Sequence, residues 1–228
     1  MAKNPTELAF SQKYDREHAE TYLKKHSDGF MRRLSNWCEQ NITRRVLKAA
    51  GDPGLVLDLP CGAGRFWPLL AENPRRVIFA ADNSNDMLNV ARDATPAEIL
   101  ARVRLFKASA FATGLADGEV DSVLCIRLLH HVQKTEHRLE ILHELHRISR
   151  DSVIVSLWVD GNYKAWRRQR LEKKRSILYS VGKNQNRFVV HKAQIEQEFK
   201  TAGFHIHSHI DFFPYYAMWQ TYILRKEI

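Results

Sequence analysis

The sequence predicts an α/β fold: a doubly wound, mostly parallel sheet of seven strands with an antiparallel last strand and helices on both faces. Three observations predict it. Between residues 51 and 159, short β-prone runs alternate with helix-patterned segments at spacings of roughly 20 to 30 residues, the arrangement of parallel strands joined by crossover helices. The first of these runs closes on a Gly-bearing turn, Asp58-Leu59-Pro60-Cys61-Gly62-Ala63-Gly64, that leads into a helix, a junction where backbone can approach a ligand closely. The last two β-prone runs are joined by a short connection, which favours an antiparallel pair.

The elements follow in order. Residues 1–28 are polar, with Tyr14, Ala19, Tyr22 and Leu23 on one short helix carrying an aromatic face. From Phe30 through Leu34, Trp37, Ile42 and Val46, apolar residues recur at three- and four-residue steps, the mark of an amphipathic helix that the breaker Gly51-Asp52-Pro53-Gly54 ends. Strands are expected at Leu55–Leu59, Arg76–Ala81, Val103–Lys107, Val120–Ile126 and Ser152–Val159. Between them lie a helix through Phe66 and Leu70, a helix from Ser84, and a helix carrying Leu142, Leu145 and Ile148, with Arg150-Asp151 as the turn before the fifth strand. Beyond Val159 a basic helix covers Asn162–Tyr179, a second helix runs His191–Ala202, and two strands occupy His205–Phe212 and Tyr216–Leu224.

This reads as one domain of 228 residues, 44% of them hydrophobic, enough to bury a full core. Residues 1–50 form N-terminal helices over a pocket, 51–159 the ligand-binding core, 160–190 a basic insertion, and 191–228 a C-terminal helix and strand pair. No run approaches the roughly 18 apolar residues of a membrane span, and a soluble, cytoplasmic protein is expected. Three scattered cysteines, Cys38, Cys61 and Cys125, make neither a disulfide framework nor a zinc site. His205, His207 and His209 share one face of a strand, but no Cys, Asp or Glu spacing completes a metal site, and none is expected. The formal charge of +9 fits a polyanionic partner or a solvated basic surface alike.

In an open parallel sheet, ligands bind beyond the carboxyl ends of the strands, near the point where strand order reverses. Four loops therefore converge there: the Gly-bearing turn, Asp82 at the end of the second run, Ser109-Ala110-Phe111 after the third, and Ile126 to Val132 after the fourth. A carboxylate at position 82 suits two ribose hydroxyls; it also suits a helix N-terminus capped by Ser84. Trp67 stands where a dinucleotide fingerprint requires a third Gly for close helix packing, which argues for a cofactor without a pyrophosphate.

Residues 55–158 resemble the class I S-adenosylmethionine-dependent methyltransferases (methyltransferase type 11/25-like). Val56 to Gly64 is similar to their first motif, Asp82 to their ribose acid, Val120 to Ile126 to their fourth strand, and Leu128-Leu129-His130-His131-Val132 to a sequence common just after it. The resemblance implies a Rossmann-like fold, methyl transfer, and S-adenosyl-L-methionine as cofactor. It implies that Asp58, Cys61, Gly62, Gly64 and Arg65 surround the methionine part and that Asp82 and Asn83 meet the ribose. Ser109, Ala110 and Phe111, with Met87 and Ile126, then flank the remainder, although Met87 reads equally as core. The chain departs from the family at Pro60, where a Gly is usual, at Ser109, where an Asp often meets adenine, and at Arg150-Asp151, where a Gly-containing turn is usual.

His130 and His131 are the candidate general bases, since histidine takes a proton near neutral pH. Alignment of acceptor, methyl and sulfur is the chief requirement of such a transfer, which makes a base optional. Arg127 is a candidate anion-binding group. Trp166 and Arg167, in the basic segment, and Tyr14 and Tyr22 are candidate acceptor contacts, a Trp offering a stacking surface and an Arg a fork for phosphate or carboxylate. Three functions are expected: methylation of a small, anionic or amphipathic molecule; methylation of RNA gripped by residues 164–175; or a non-catalytic cofactor-binding protein with a basic face for a partner or membrane.

Overall fold

The computed structural model describes residues 29–178 and 187–227. Helix α1 (Phe30–Ala49) leads into strand β1 (Leu55–Asp58), followed by the single-turn helix α2 (Trp67–Leu70) and strand β2 (Val77–Asp82). Helices α3 (Asn85–Ala94) and α4 (Ala97–Leu100) precede β3 (Val103–Lys107), and β4 (Val120–Ile126) runs into a 3₁₀ turn at Leu129–His131. Then follow α5 (Thr135–Ile148), β5 (Ser149–Trp158), α6 (Tyr163–Leu178), α7 (Lys192–Thr201), β6 (Phe204–Asp211) and β7 (Trp219–Lys226).

The seven strands form one sheet in the order β3-β2-β1-β4-β5-β7-β6. Strands β1 to β5 are mutually parallel; β7 lies antiparallel between β5 and β6, as the short connection requires. Order reverses between β1 and β4, which places the topological switch point at the turn after Asp58.

Alternation along the strands divides the core into two layers. Val56, Ile78, Leu124 and Ile154 face one side, where Val46 and Leu47 of α1 and Trp67 and Leu70 of α2 cover them. Leu57, Phe79, Val123 and Val155 face the other, under Leu142 and Leu145 of α5 and Phe199 of α7. Each buried Leu, Ile or Val contributes about 1.5–3 kcal/mol, so both layers are needed to hold the sheet. Helices α5 and α7 are further tied by a buried ion pair, Arg138 Nε to Glu198 Oε2 at 2.8 Å and Nη2 to Oε1 at 2.5 Å.

Local structure departs from the sequence reading at several places. No turn occupies Arg150-Asp151: β5 begins at Ser149, directly after α5. Cross-strand ion pairs of Arg150 with Asp121 and of Arg225 with Asp151 hold those residues extended. Strand β7 starts at Trp219, not Tyr216, because Tyr215 takes a positive φ and the Tyr216 N–H bonds back to the Phe213 carbonyl. Strand β2 extends one residue beyond Ala81 to include Asp82, and α4 is an element the apolar pattern did not signal. The expected helix with Tyr14 and Tyr22 lies outside the described residues. Among the described residues no helix is long and apolar enough to cross a membrane, and no cluster of three metal-ligating side chains occurs.

Candidate active site

Beyond the carboxyl ends of β1 to β4 the four loops enclose one cavity. Its floor at the switch point is the turn after β1, contributing Leu59, Pro60, Cys61, Gly62, Arg65 and Phe66. The Leu59–Pro60 peptide is cis, and Gly62 and Gly64 have positive φ of 53° and 74°. A Cβ on Gly64 would meet the Trp67 ring at 2.8 Å, so the bulky residue at the third-glycine position is accommodated by the bare backbone of Gly64. Trp67 is fully buried.

Asp82 ends β2 and lines the cavity from the side of β2 and β3. Its Oδ2 accepts from the Gly62 N–H at 3.0 Å and its Oδ1 from the Ser84 N–H at 3.0 Å. Burial pushes its pKa up, while the backbone N–H groups of Ser84, Gly62 and Asn83 pull it back. A carboxylate offers about four acceptor positions, so lone pairs remain to receive hydroxyl donors from a ligand. Ser84 in turn caps α3, its Oγ accepting from the Met87 N–H at 3.3 Å. The side-chain cap of α3 is thus Ser84, not Asp82. Asn83, Met87 and the Ala108–Phe111 loop line the same side, with Ser109 Oγ holding the Phe111 N–H at 3.2 Å.

Asp58 and Gly64 do not line the cavity. Asp58 is buried beneath the turn; its Oδ2 and the Trp67 Nε1 have no hydrogen-bond partner among the described residues. Burial raises the Asp58 pKa to about 8, against the opposing charge of Arg65. Cys61 lines the cavity as a protonated thiol, its pKa raised by burial and by the neighbouring Asp58 and Asp82.

The side toward β5 and β7 has a different chemistry. Ile126, Arg127, Leu128, His130 and His131 follow β4, and Trp219 and Arg187 complete the wall. Arg127 takes a left-handed φ of 64°, a conformation that costs of order 1–3 kcal/mol for a residue with a side chain. It is held there by its N–H to Ser156 Oγ at 3.0 Å and by Glu39 of α1, which accepts from Nε at 2.8 Å and Nη2 at 2.7 Å. Arg65 also donates to Glu39, at 2.8 Å. Burial would raise the Glu39 pKa, but Arg65 and Arg127 together hold it below the usual carboxylate value. Two guanidinium groups share one carboxylate, leaving this corner net positive.

His130 is 2% exposed and packed between Trp158, at 5.0 Å between ring centroids, and Trp219, at 4.8 Å. Burial, then His131 and the guanidinium groups of Arg187, Arg127 and Arg168, push its pKa down to about 2. The ring is therefore neutral at physiological pH and has almost no drive to accept a proton. Its Nδ1 has no hydrogen-bond partner among the described residues. Its carbonyl accepts from the Phe188 N–H at 2.7 Å, which brings the segment carrying Arg187 against the cavity.

Trp166 and Arg167 do not reach the cavity: both are exposed on α6, and from the basic insertion it is Arg187 that lines it. His205, His207 and His209 are exposed, but a register shift between Ile206 and Ser208 turns His205 and His209 to opposite faces of the sheet, so the three do not share the one face the alternation predicts. Reasoning from sequence missed Glu39 and Arg187. A signal existed for Glu39, an acid set beside Ile42 and Val46 on the apolar face of its helix, where a carboxylate persists only if paired. Arg187 carried none, since the fold alone brings it to the end of β4.

Residues 56–152 match the family model described as "Methyltransferase domain". The tRNA (carboxymethyluridine(34)-5-O)-methyltransferase of Mus musculus is 27% identical over 135 residues, 57% of this chain and 18% of that protein. An uncharacterized methyltransferase-like protein of Schizosaccharomyces pombe is 34% identical over 91 residues, 40% of this chain and 33% of that protein. The chain thus spans a third or less of the length of these relatives. Among solved structures, magnesium protoporphyrin IX methyltransferase from Synechocystis PCC 6803 with bound SAH superposes with a TM-score of 0.75 at 17% identity, over 96% of this chain and 98% of that one. A SAM-dependent methyltransferase from Aquifex aeolicus gives a TM-score of 0.63 at 17% identity, over 94% of this chain and all of that one.

Proposed function

We propose that this chain, a class I S-adenosylmethionine-dependent methyltransferase, methylates a small anionic or amphipathic molecule that enters between Arg127, His130, Arg187 and Trp219. The observation carrying the acceptor class is the contrast between the two sides of one cavity. The side toward β2 and β3 fits the cofactor: Asp82 has acceptor capacity left for ribose hydroxyls, and Met87 and the Ala108–Phe111 loop give apolar walls for a flat base. The turn at Cys61 and Gly62 then faces the methionine part. The opposite side offers aromatic surface and net positive charge, which favour an acceptor with a carboxylate or phosphate attached to an apolar body.

S-adenosylmethionine supplies an electrophilic methyl on sulfur: as the acceptor's lone pair bonds to the methyl carbon, the carbon–sulfur bond breaks and its electron pair returns to sulfur. The chain's contribution is chiefly positioning. Arg127, locked by Glu39 and Ser156, presents a fixed cation to the acceptor's anionic group. The neutral His130 and the face of Trp219 give its apolar body a wall, and His131 or water takes any proton the acceptor releases.

A second reading, RNA as acceptor, is favoured by the tRNA methyltransferase among the relatives. Incubating the protein with methyl-labelled cofactor and a fractionated extract separates the two. Label in small molecules or lipid supports the first reading, whereas label confined to RNA overturns it in favour of the second.

A further inference from the structure

Among the described residues, the large apolar side chains left exposed are not scattered. Apart from Val77, they fall in three segments: the first half of α1, the first half of α6, and the β6–β7 connection. On α1, Phe30 is 78%, Met31 72% and Trp37 62% exposed, with Leu34 between them. Tyr163, Trp166 and Leu171 protrude from α6, and Phe213, Tyr215 and Tyr216 from the connection.

These segments adjoin. The Tyr163 and Lys164 N–H groups bond to the carbonyls of Tyr215 and Tyr216 at 2.9 and 3.0 Å, and the Tyr163 and Tyr216 rings stack at 5.9 Å. Phe212 packs on Phe213, and it shares a small cleft with Ser35 and Glu39 of α1 and with Arg127 and Trp219 of the cavity wall. The three segments carrying these residues thus meet beside the acceptor side of the cavity.

The charge on these segments is predominantly positive, with Glu39, Asp160, Glu172 and Asp211 bordering them. Residues 29–38, 161–171 and 212–219 contain Arg32, Arg33, Lys164, Arg167, Arg168 and Arg170 and no Asp or Glu. All but Arg168 are exposed. Aromatic and aliphatic side chains interleaved with long cations are what a protein lays into the boundary between lipid headgroups and acyl chains, the apolar parts inserting and the cations meeting anionic headgroups. Base stacking fits less well. The Tyr216 ring is stacked on Tyr163 and has Lys164 4.9 Å from its centroid, Trp166 carries the Arg170 guanidinium at 5.3 Å, and Phe30, Met31, Leu34 and Leu171 offer nothing a base or phosphate would select.

We propose that these segments dock the protein on an anionic lipid bilayer, so that an amphipathic acceptor passes from the membrane surface into the cavity. The acceptor's route rests on the small-molecule reading above; the docking does not, and it is tested without activity. Flotation of the full chain with vesicles of phosphatidylcholine containing 30% phosphatidylglycerol, compared with phosphatidylcholine alone, should show binding only to the first and a loss of several-fold when salt is raised from 50 to 500 mM. The variants Trp37→Glu and Trp166→Glu, both remote from the cavity, should each cut vesicle binding at least fivefold, with cofactor affinity and circular dichroism unchanged. Absence of binding to the anionic vesicles overturns the proposal, as does binding that neither variant weakens. Two other outcomes also overturn it: these variants abolish binding to single-stranded RNA while vesicles fail to bind, or they disperse a concentration-dependent dimer that does not bind vesicles.

Discussion

Glu39 and Arg127, 88 positions apart, form a two-bond ion pair that ties the helix preceding the sheet to the loop at its switch point. Arg65 joins the same carboxylate, so one acid positions a cation on each side of the turn.

Removing that acid leaves two partly buried guanidinium groups facing each other. Glu39→Ala is expected to lower stability by about 2–4 kcal/mol, toward the range for breaking a buried pair. Urea unfolding checks this, and Glu39→Gln, which keeps acceptor capacity at one oxygen, should lose less.

Asp82→Ala removes both the acceptors proposed for the cofactor's ribose and the brace on Gly62 and Ser84. Cofactor affinity is expected to fall by about 1–3 kcal/mol, the scale of lost hydrogen bonds to a charged group. Isothermal titration with the cofactor and its demethylated product measures it. An unchanged affinity would assign the ribose to another residue.

Two buried groups set opposite slopes of stability against pH. The fold depresses the His130 pKa from its ordinary 6.5 to about 2, so below pH 6.5 the unfolded chain binds a proton the folded chain refuses. Stability is therefore lost as pH falls through that window, by at most about 1.4 kcal/mol per pH unit from this residue. Asp58 acts in the other sense: its pKa rises from 3.8 to about 8, so the folded chain keeps a proton that the unfolded chain has lost, and stability declines as pH rises toward 8. Unfolding midpoints across pH should show the acid limb flattened in His130→Gln and the decline between pH 6.5 and 8 flattened in Asp58→Asn.

Much of the fold was legible because its causes are local. The alternation of strand and helix patterns, the glycines of the turn and the position of Asp82 predict a parallel sheet with a binding site at its carboxyl edge; the structure has the parallel sheet, and a cavity lies at that edge. Cys61, Gly62, Arg65, Asp82 and the Ser109–Phe111 loop lie around one cavity for the same reason, each following its strand directly. Arg150-Asp151 was misread because the ion pairs that keep it extended come from β4 and β7.

What the sequence by itself determined is the side of the cavity proposed for the cofactor, where each group ends a strand or lies within seven residues of the end of one whose pattern announces it. The tertiary structure decided the acceptor side. Arg127 has its strained backbone and fixed direction only because Glu39 and Ser156 arrive from elsewhere, and His130 resists protonation well below its ordinary pKa because it is buried against Trp158 and Trp219 and faces His131 and three arginines. Charge state and orientation are set by neighbours distant in sequence, through desolvation and Coulomb interaction, and no local pattern encodes them.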